Sequence, residues 1–553
     1  MANRWNMVLL VAGVILLPDK PASAQADSKP DLVVAVAIDQ FGSLLFDRWR
    51  TNYRGGIKRL IDEGIVFSNA YQSHGITETC AGHSTLLTGK YPGHTGIVAN
   101  EWYDTATGKQ VYCVADPNFS QAHDPKARKV GPSLLVASTL GDWLKEQQPA
   151  SRVVVVSGKD RASITMAGHR ADGVFWYADK DGFTTFVATG EDPAAKLAPV
   201  SKVNAKVKEA FAGDSVWTYS DESCRSLEDT YRLGGVSWRS SLPPEVPVES
   251  GKAQEKARPL HLMDPFTLAA VRDLVDNYRL GQRGVTDLLA IGLSATDFIG
   301  HGYGTQGPEM CDQIHRLDRD IGELLAFIDS LRLKVLLVVT ADHGGSDFPE
   351  RLAQQGFASA RRIDPGKLLS AINTEVKGKL ALEHASLVTP DSVQFYAVSK
   401  EGRKLEEPMR SKVIEAALDA FKRQPEVEQA FSLEELLAHK VTVSAVSDYS
   451  LKDRFAQSAM RGRTGDIVVA YKSGVSTAPV RPTRFVMGHA GPYHHDTAVP
   501  IIFWWKDAKA GTRILPVATT SIAPTLANIV GVRAPADLDG SCLDLGYPGV
   551  PPC

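Results

Sequence analysis

The chain has no Cys-x-x-Cys pair, no internal repeat, no low-complexity tract and no large surplus of either charge. Each absence closes off a class of function. Without paired thiols a thiolate zinc site is not expected. Lys and Arg number 61 against 64 Asp and Glu, a formal net charge of -3. There is no broad basic surface to hold nucleic acid or an anionic membrane as the main partner, so any anion recognition has to be local. At 553 residues, 43% hydrophobic and 23% charged, the chain can bury a large core. It suits one large domain with insertions, or two domains.

The N-terminus reads as a signal peptide over residues 1–24. Arg4 supplies the basic start, Met7 to Leu17 the apolar stretch, and Ala22-Ser23-Ala24 a cleavage site before Gln25. The apolar stretch is too short to span a bilayer. Export to the periplasm or the medium is expected, with no membrane association after cleavage; an uncleaved N-terminal anchor is the alternative. The six cysteines, Cys80, Cys113, Cys224, Cys311, Cys542 and Cys553, all lie beyond that site. They can oxidise in such a compartment in many connectivities. Cys542 and Cys553 are close together in a Gly/Pro-rich tail, where a bridge is plausible.

Three apolar runs each lead into an acidic residue: Val33 to Ile38 into Asp39, Leu288 to Ser294 toward Asp297, and Val335 to Thr340 ahead of Asp342-His343. Buried parallel strands read as such runs, and ligands of open α/β sheets bind beyond the strands' carboxyl ends. Helices are predicted at Gly56 to Glu63, Ala81 to Thr88 (with Thr79 at or just before its start), Pro265 to Leu280 and Pro308 to Leu331. Further strands are predicted at Ile65 to Ala70, Val153 to Val156 and Val499 to Trp505. The fold class is α/β, a central mostly parallel sheet flanked by helices. The expected division is core over 30–161, an inserted cap over 162–260, core over 261–374, a second inserted lobe over 375–480, and core again over 481–553.

Asp297 and His301 are spaced i, i+4, so one helical turn lets both reach one cation. Asp342-His343 runs into Gly344-Gly345, and His489 lies in the tight segment Gly488-His489-Ala490-Gly491-Pro492. Nitrogen and oxygen donors without thiolate suit Zn²⁺, with Mn²⁺ and Ca²⁺ compatible by ligand type.

Asp39, Thr79 in Thr79-Cys80-Ala81-Gly82-His83-Ser84, Asp297-x-x-x-His301, Asp342-His343-Gly344 and His489 span nearly the whole chain. In this order they resemble the alkaline phosphatase superfamily of two-metal hydrolases. Asn100 in Ala99-Asn100-Glu101-Trp102 and Lys159-Asp160-Arg161 narrow the resemblance to the bacterial phosphate-irrepressible, PafA-type alkaline phosphatases with a threonine nucleophile. That resemblance implies two zinc ions per chain. Asp297, His301 and His489 would hold one, and Asp39, Asp342 and His343, with Thr79, the other.

The resemblance further implies Thr79 as the nucleophile of a phosphothreonine pathway. Asn100, Lys159 and Arg161 would bind small-molecule phosphate monoesters, because an ammonium and a guanidinium match a terminal dianion. A phosphodiesterase or nucleotide pyrophosphatase of the same superfamily is the alternative activity; a non-catalytic metal-stabilised binding protein is the alternative of another kind. One departure stands out: Cys80-Ala81 replaces the Ala-Pro usual in that group. The same segment lacks the Cys-x-Pro-x-Arg of sulfatases. Oligomeric state is left open.

Overall fold

The computed structural model describes residue 1 and residues 29–213, 216–245, 260–443, 445–480 and 485–553. Apart from Met1, the predicted signal segment lies outside the described residues.

The apolar runs become the middle of a ten-stranded sheet. Leu32–Ile38 lies at its centre, parallel to Asp287–Leu293 on one side and to Val335–Thr340 on the other. Val153–Ser157 and then Gly173–Tyr177 extend the parallel array beyond Asp287–Leu293. Every residue of Leu32–Ile38 is buried, with Val34, Val36 and Ile38 in one hydrophobic layer and Val33, Ala35 and Ala37 in the other. Helices on both faces cover it, which is why these strands are continuously apolar rather than alternating. This is the α/β architecture expected from the sequence.

Ala498–Trp504 runs antiparallel to both Val335–Thr340 and Ile65–Tyr71. It therefore begins at the edge where its neighbour Val335–Thr340 ends. The segment before it, including His489, is delivered to the carboxyl edge of the parallel strands.

The cap boundary needs correction. Gly173–Tyr177 and Phe183–Thr184 are strands of the main sheet, and the helix Asp160–Ala167 packs on it, so core continues well past residue 162. The short, aromatic run Val174 to Tyr177 hid this, since its length does not distinguish a core strand from an excursion. The helix Ser201–Ala212 and the hairpin Asp229–Leu233 with Val236–Ser240 lie outside the sheet, at the periphery. The second lobe starts earlier than residue 375, with the helix Pro365–Leu380. Together with Met409–Lys422 it covers a four-stranded sheet around its own core of Ile372, Phe395, Phe421 and Ile467.

The cysteines pair as Cys80–Cys113, Cys224–Cys311 and Cys542–Cys553. The last is the bridge expected in the tail. Among the described residues no helix is long and apolar enough to cross a membrane.

Candidate active site

Four parallel strand ends and one antiparallel strand start converge on one spot. Asp39 follows the central strand directly, and Asp342-His343 follows Val335–Thr340 after one residue. Asp297 and His301 share a face of the helix Ala295–Tyr303, which opens just after Asp287–Leu293. Lys159 is the N-cap of the helix Asp160–Ala167, with Arg161 in its first turn. Thr79 is the first residue of the helix Thr79–Thr88, two residues longer at its start than predicted. Gly82 lets this helix sit directly on the backbone of Asp342, since a Cβ there would fall on the Asp342 carbonyl oxygen.

The side chains gather into two triads. Ligand atoms of Asp297, His301 and His489 lie within 4.8 Å of one another, as do those of Asp39, Asp342 and His343. His343 and His489 stack at 3.8 Å between ring centroids, so the triads are adjacent. Each triad groups side chains that the family resemblance also groups.

Three imidazoles are oriented alike. The Nδ1 of His343 lies 2.9 Å from Gly344 O, that of His301 2.9 Å from Met487 O and that of His489 2.7 Å from Thr77 O. A carbonyl can only accept, so each Nδ1 donates and Nε2 is the ring atom left to face a cation once it carries no proton. His343 Nε2 and Asp39 Oδ1 are buried with no hydrogen-bond partner. Unpaired buried acceptors are costly, and a dication satisfies them. The Lys159 ammonium, 2.6 Å from Asp39 Oδ2 and 2.5 Å from Asp297 Oδ2, shows that positive charge fits between the triads.

The electrostatics record the same demand. Burial, then the Asp297 and Asp342 carboxylates, push the Asp39 carboxyl up to about 6 against the pull of Lys159 and His343. Burial would also raise Asp297, but Lys159, His301 and His489 hold it well below the usual carboxylate range. Burial lowers His343 and His301, whereas Asp297 overrides burial at His489 and lifts it to about 9.

Around Thr79 the groups are polar and specific. Lys159 Nζ donates to Thr79 Oγ1 at 3.3 Å and Arg161 Nη2 at 3.5 Å. Asn100 Oδ1 accepts from the Cys80 N–H at 2.9 Å, capping the helix start and committing the amide's oxygen side, which leaves its NH₂ as a donor. Cys80, bridged to Cys113, offers no free thiol.

His83 Nδ1 sits 3.0 Å from both Asp342 Oδ2 and Thr79 O. Asp496 accepts from Gly491 N, in the His489 segment, at 2.8 Å. Missed altogether were Gln40, Glu78, which accepts from the Asn100 N–H, and Tyr112, whose hydroxyl donates to Asp160 at 2.6 Å. The adjacency of Gln40 to Asp39 and of Glu78 to Thr79 was the only available signal.

Fold and site together define a hydrolase of phosphoryl esters. The chain belongs to the type I phosphodiesterase / nucleotide pyrophosphatase family, within the alkaline phosphatase superfamily, the family's model matching residues 33–479. It is 35% identical to alkaline phosphatase PhoD of Zymomonas mobilis over 93% of this chain and 88% of that protein. It is 34% identical to alkaline phosphatase PhoK of a Sphingomonas species over 95% and 92%. Its fold matches the crystal structure of alkaline phosphatase PafA with a TM-score of 0.80 at 25% identity, over 93% of this chain and 98% of that one.

Proposed function

We propose that the protein is an exported, zinc-dependent alkaline phosphatase that hydrolyses phosphate monoesters through a phosphothreonine at Thr79. The observation that carries this reading is the convergence of Lys159 and Arg161 on Thr79 Oγ1. A monoester presents a terminal dianion with three free oxygens beside the point of attack. An ammonium and a planar guanidinium complement that group, while a diester has one charge and a substituent in the same place.

Two imidazoles with a carboxylate in one triad, and one imidazole with two carboxylates in the other, suit zinc. When bound, one ion per triad supplies Lewis acidity, favouring the Thr79 alkoxide and offsetting charge on the leaving oxygen. The residues do the rest. Thr79 Oγ1 attacks phosphorus in line and the alcohol departs; water then cleaves the phosphothreonine, releasing phosphate and restoring the hydroxyl. Arg161, Lys159 and the Asn100 NH₂ hold the non-bridging oxygens through both steps. His83 keeps Asp342 oriented. The helix amides beyond Thr79 add favourable dipoles for phosphate.

Export is supported by the signal-like residues 1–24 and by three cystine bridges. The partners in this reading are small-molecule phosphate monoesters, with nucleic acid and membrane not main partners. The family's own description keeps diester hydrolysis as the rival. The deciding measurement compares p-nitrophenyl phosphate with its bis ester at alkaline pH, before and after chelation and zinc return. Wild type is expected to favour the monoester and to need zinc. Thr79→Ala should lose activity by several orders of magnitude, and Lys159→Ala/Arg161→Ala should lose far more monoesterase than diesterase activity. Diester turnover equal to or faster than monoester turnover by the wild type would refute the reading.

A further inference from the structure

Gln40 follows Asp39 at the end of the central strand, and its backbone is left-handed, with φ at 64°. A residue with a side chain meets steric strain in that conformation, and glycine adopts it freely. Strain retained at a non-glycine position needs an offsetting use of the side chain. Gln40 is buried, and both of its donors point at the triads. Its backbone N–H donates to Asp342 Oδ1 at 3.1 Å, and its Nε2 donates to Asp297 Oδ1 at 3.2 Å. The same Nε2 lies 3.8 Å from Met487 Sδ, in the residue whose carbonyl orients His301.

The surroundings are shaped to admit this one side chain. A Cβ at Gly300, between Asp297 and His301 on their helix, would fall on Gln40 Oε1, and one at Gly345 would approach Gln40 Cδ to 3.2 Å. Gln40 Oε1 itself is buried without a hydrogen-bond partner. Burying an unpaired amide oxygen is unfavourable, so the amide is retained for its donor end.

We infer that Gln40 is a positioning residue that couples the two triads, fixing Asp297 through its side-chain amide and Asp342 through its backbone N–H. The inference rests on the proposed two-ion site. It separates two contributions, because Gln40→Gly relieves the backbone and keeps the N–H to Asp342 but loses the tie to Asp297. Gln40→Met keeps the length and apolar stem and loses only the amide.

The test uses the full exported chain with zinc alone as probe. Measured are bound zinc per chain after dialysis, zinc affinity in competition with a chromophoric chelator, the Tm of the metal-free protein, and kcat and KM for p-nitrophenyl phosphate. Wild type is expected to retain two ions. Both variants should bind the weaker-held ion about 10–100-fold less tightly and lose kcat by a similar factor with little change in KM. The metal-free Tm of Gln40→Gly should equal or exceed that of wild type. Wild-type zinc affinity and kcat in both variants would overturn the inference alone. Losses that track a lowered metal-free Tm in both variants would overturn it too, reducing Gln40 to a packing role. A wild-type chain that retains no zinc would overturn the two-ion reading and this inference with it.

Discussion

At the scale of single residues, the site depends on close approach as much as on chemistry. Thr79 reaches Lys159 and Arg161 from a helix that packs on Asp342 because Gly82, one turn later, has no side chain to hold that helix off. Gly82→Ala places a methyl on the Asp342 carbonyl, and overpacking of this kind typically costs about 1–3 kcal/mol. The helix has to retreat, so activity should fall at least tenfold while Tm drops by only a few degrees. Thermal unfolding and steady-state kinetics on one preparation check it; wild-type kcat would show that the helix tolerates the shift. Candidate ligands could be picked out from residue type and their place at strand ends, while Thr79, Lys159 and Arg161 came only through the family resemblance. Gln40 could not, because neither its left-handed backbone nor its reach to two carboxylates leaves a trace in residue type.

At the scale of elements, the helix Ala295–Tyr303 has to hold Asp297 and His301 at a fixed height above the sheet. Its N-terminus is held by a buried acid from another helix: Asp264, on Met263–Tyr278, accepts from Ala295 N at 3.0 Å and from Gln313 Nε2 at 3.2 Å. Burial raises Asp264 to about 7 despite these donors. Asp264→Ala leaves the Ala295 amide at the helix start unpaired and strips Gln313 Nε2 of the shorter of its two hydrogen bonds, a loss of about 1–3 kcal/mol. It should also weaken metal retention without touching a candidate ligand, which thermal unfolding and metal analysis together reveal. Element types and most boundaries were readable from the sequence. The helices Gly56–Glu63 and Pro308–Leu331 end where a glycine stop or an apolar period places them. Gly173–Tyr177 was misplaced because a five-residue strand carries little periodic signal.

Across the whole molecule, the peripheral hairpin Asp229–Leu233 with Val236–Ser240 is joined to the core through buried charge. Glu309, at the start of the long helix Pro308–Leu331, accepts from Ser240 Oγ at 2.7 Å and Ser241 N at 3.0 Å, and interacts electrostatically with Arg351, Tyr303 and Tyr219. Burial raises Glu309 to about 7, the Ser240 hydrogen bond and Arg351 opposing it. A carboxyl raised in the folded state binds a proton there that the unfolded chain has already lost. Its contribution is therefore full below the unfolded value near 4.5 and is lost as pH rises through about 7. That loss amounts to about 3 kcal/mol. Glu309→Gln should flatten this part of the stability profile, gaining on wild type between pH 5 and pH 8. Urea unfolding across that range measures it, and parallel profiles would refute the assignment.

The sequence by itself determined which segments are strands and helices and which acids and imidazoles stand at strand ends. Those properties are local: burial on both faces, helical period and i, i+4 spacing are written within a few residues. The division into two triads was legible through the order of motifs that carries the family resemblance. Tertiary structure alone decided that Ala498–Trp504 runs antiparallel and so brings His489 to the carboxyl edge, that Gly173–Tyr177 joins the main sheet, and that Cys80 is bridged to Cys113 beside Asn100. Strand direction, sheet neighbours and cystine partners depend on pairings between residues far apart in the chain. No local pattern encodes them.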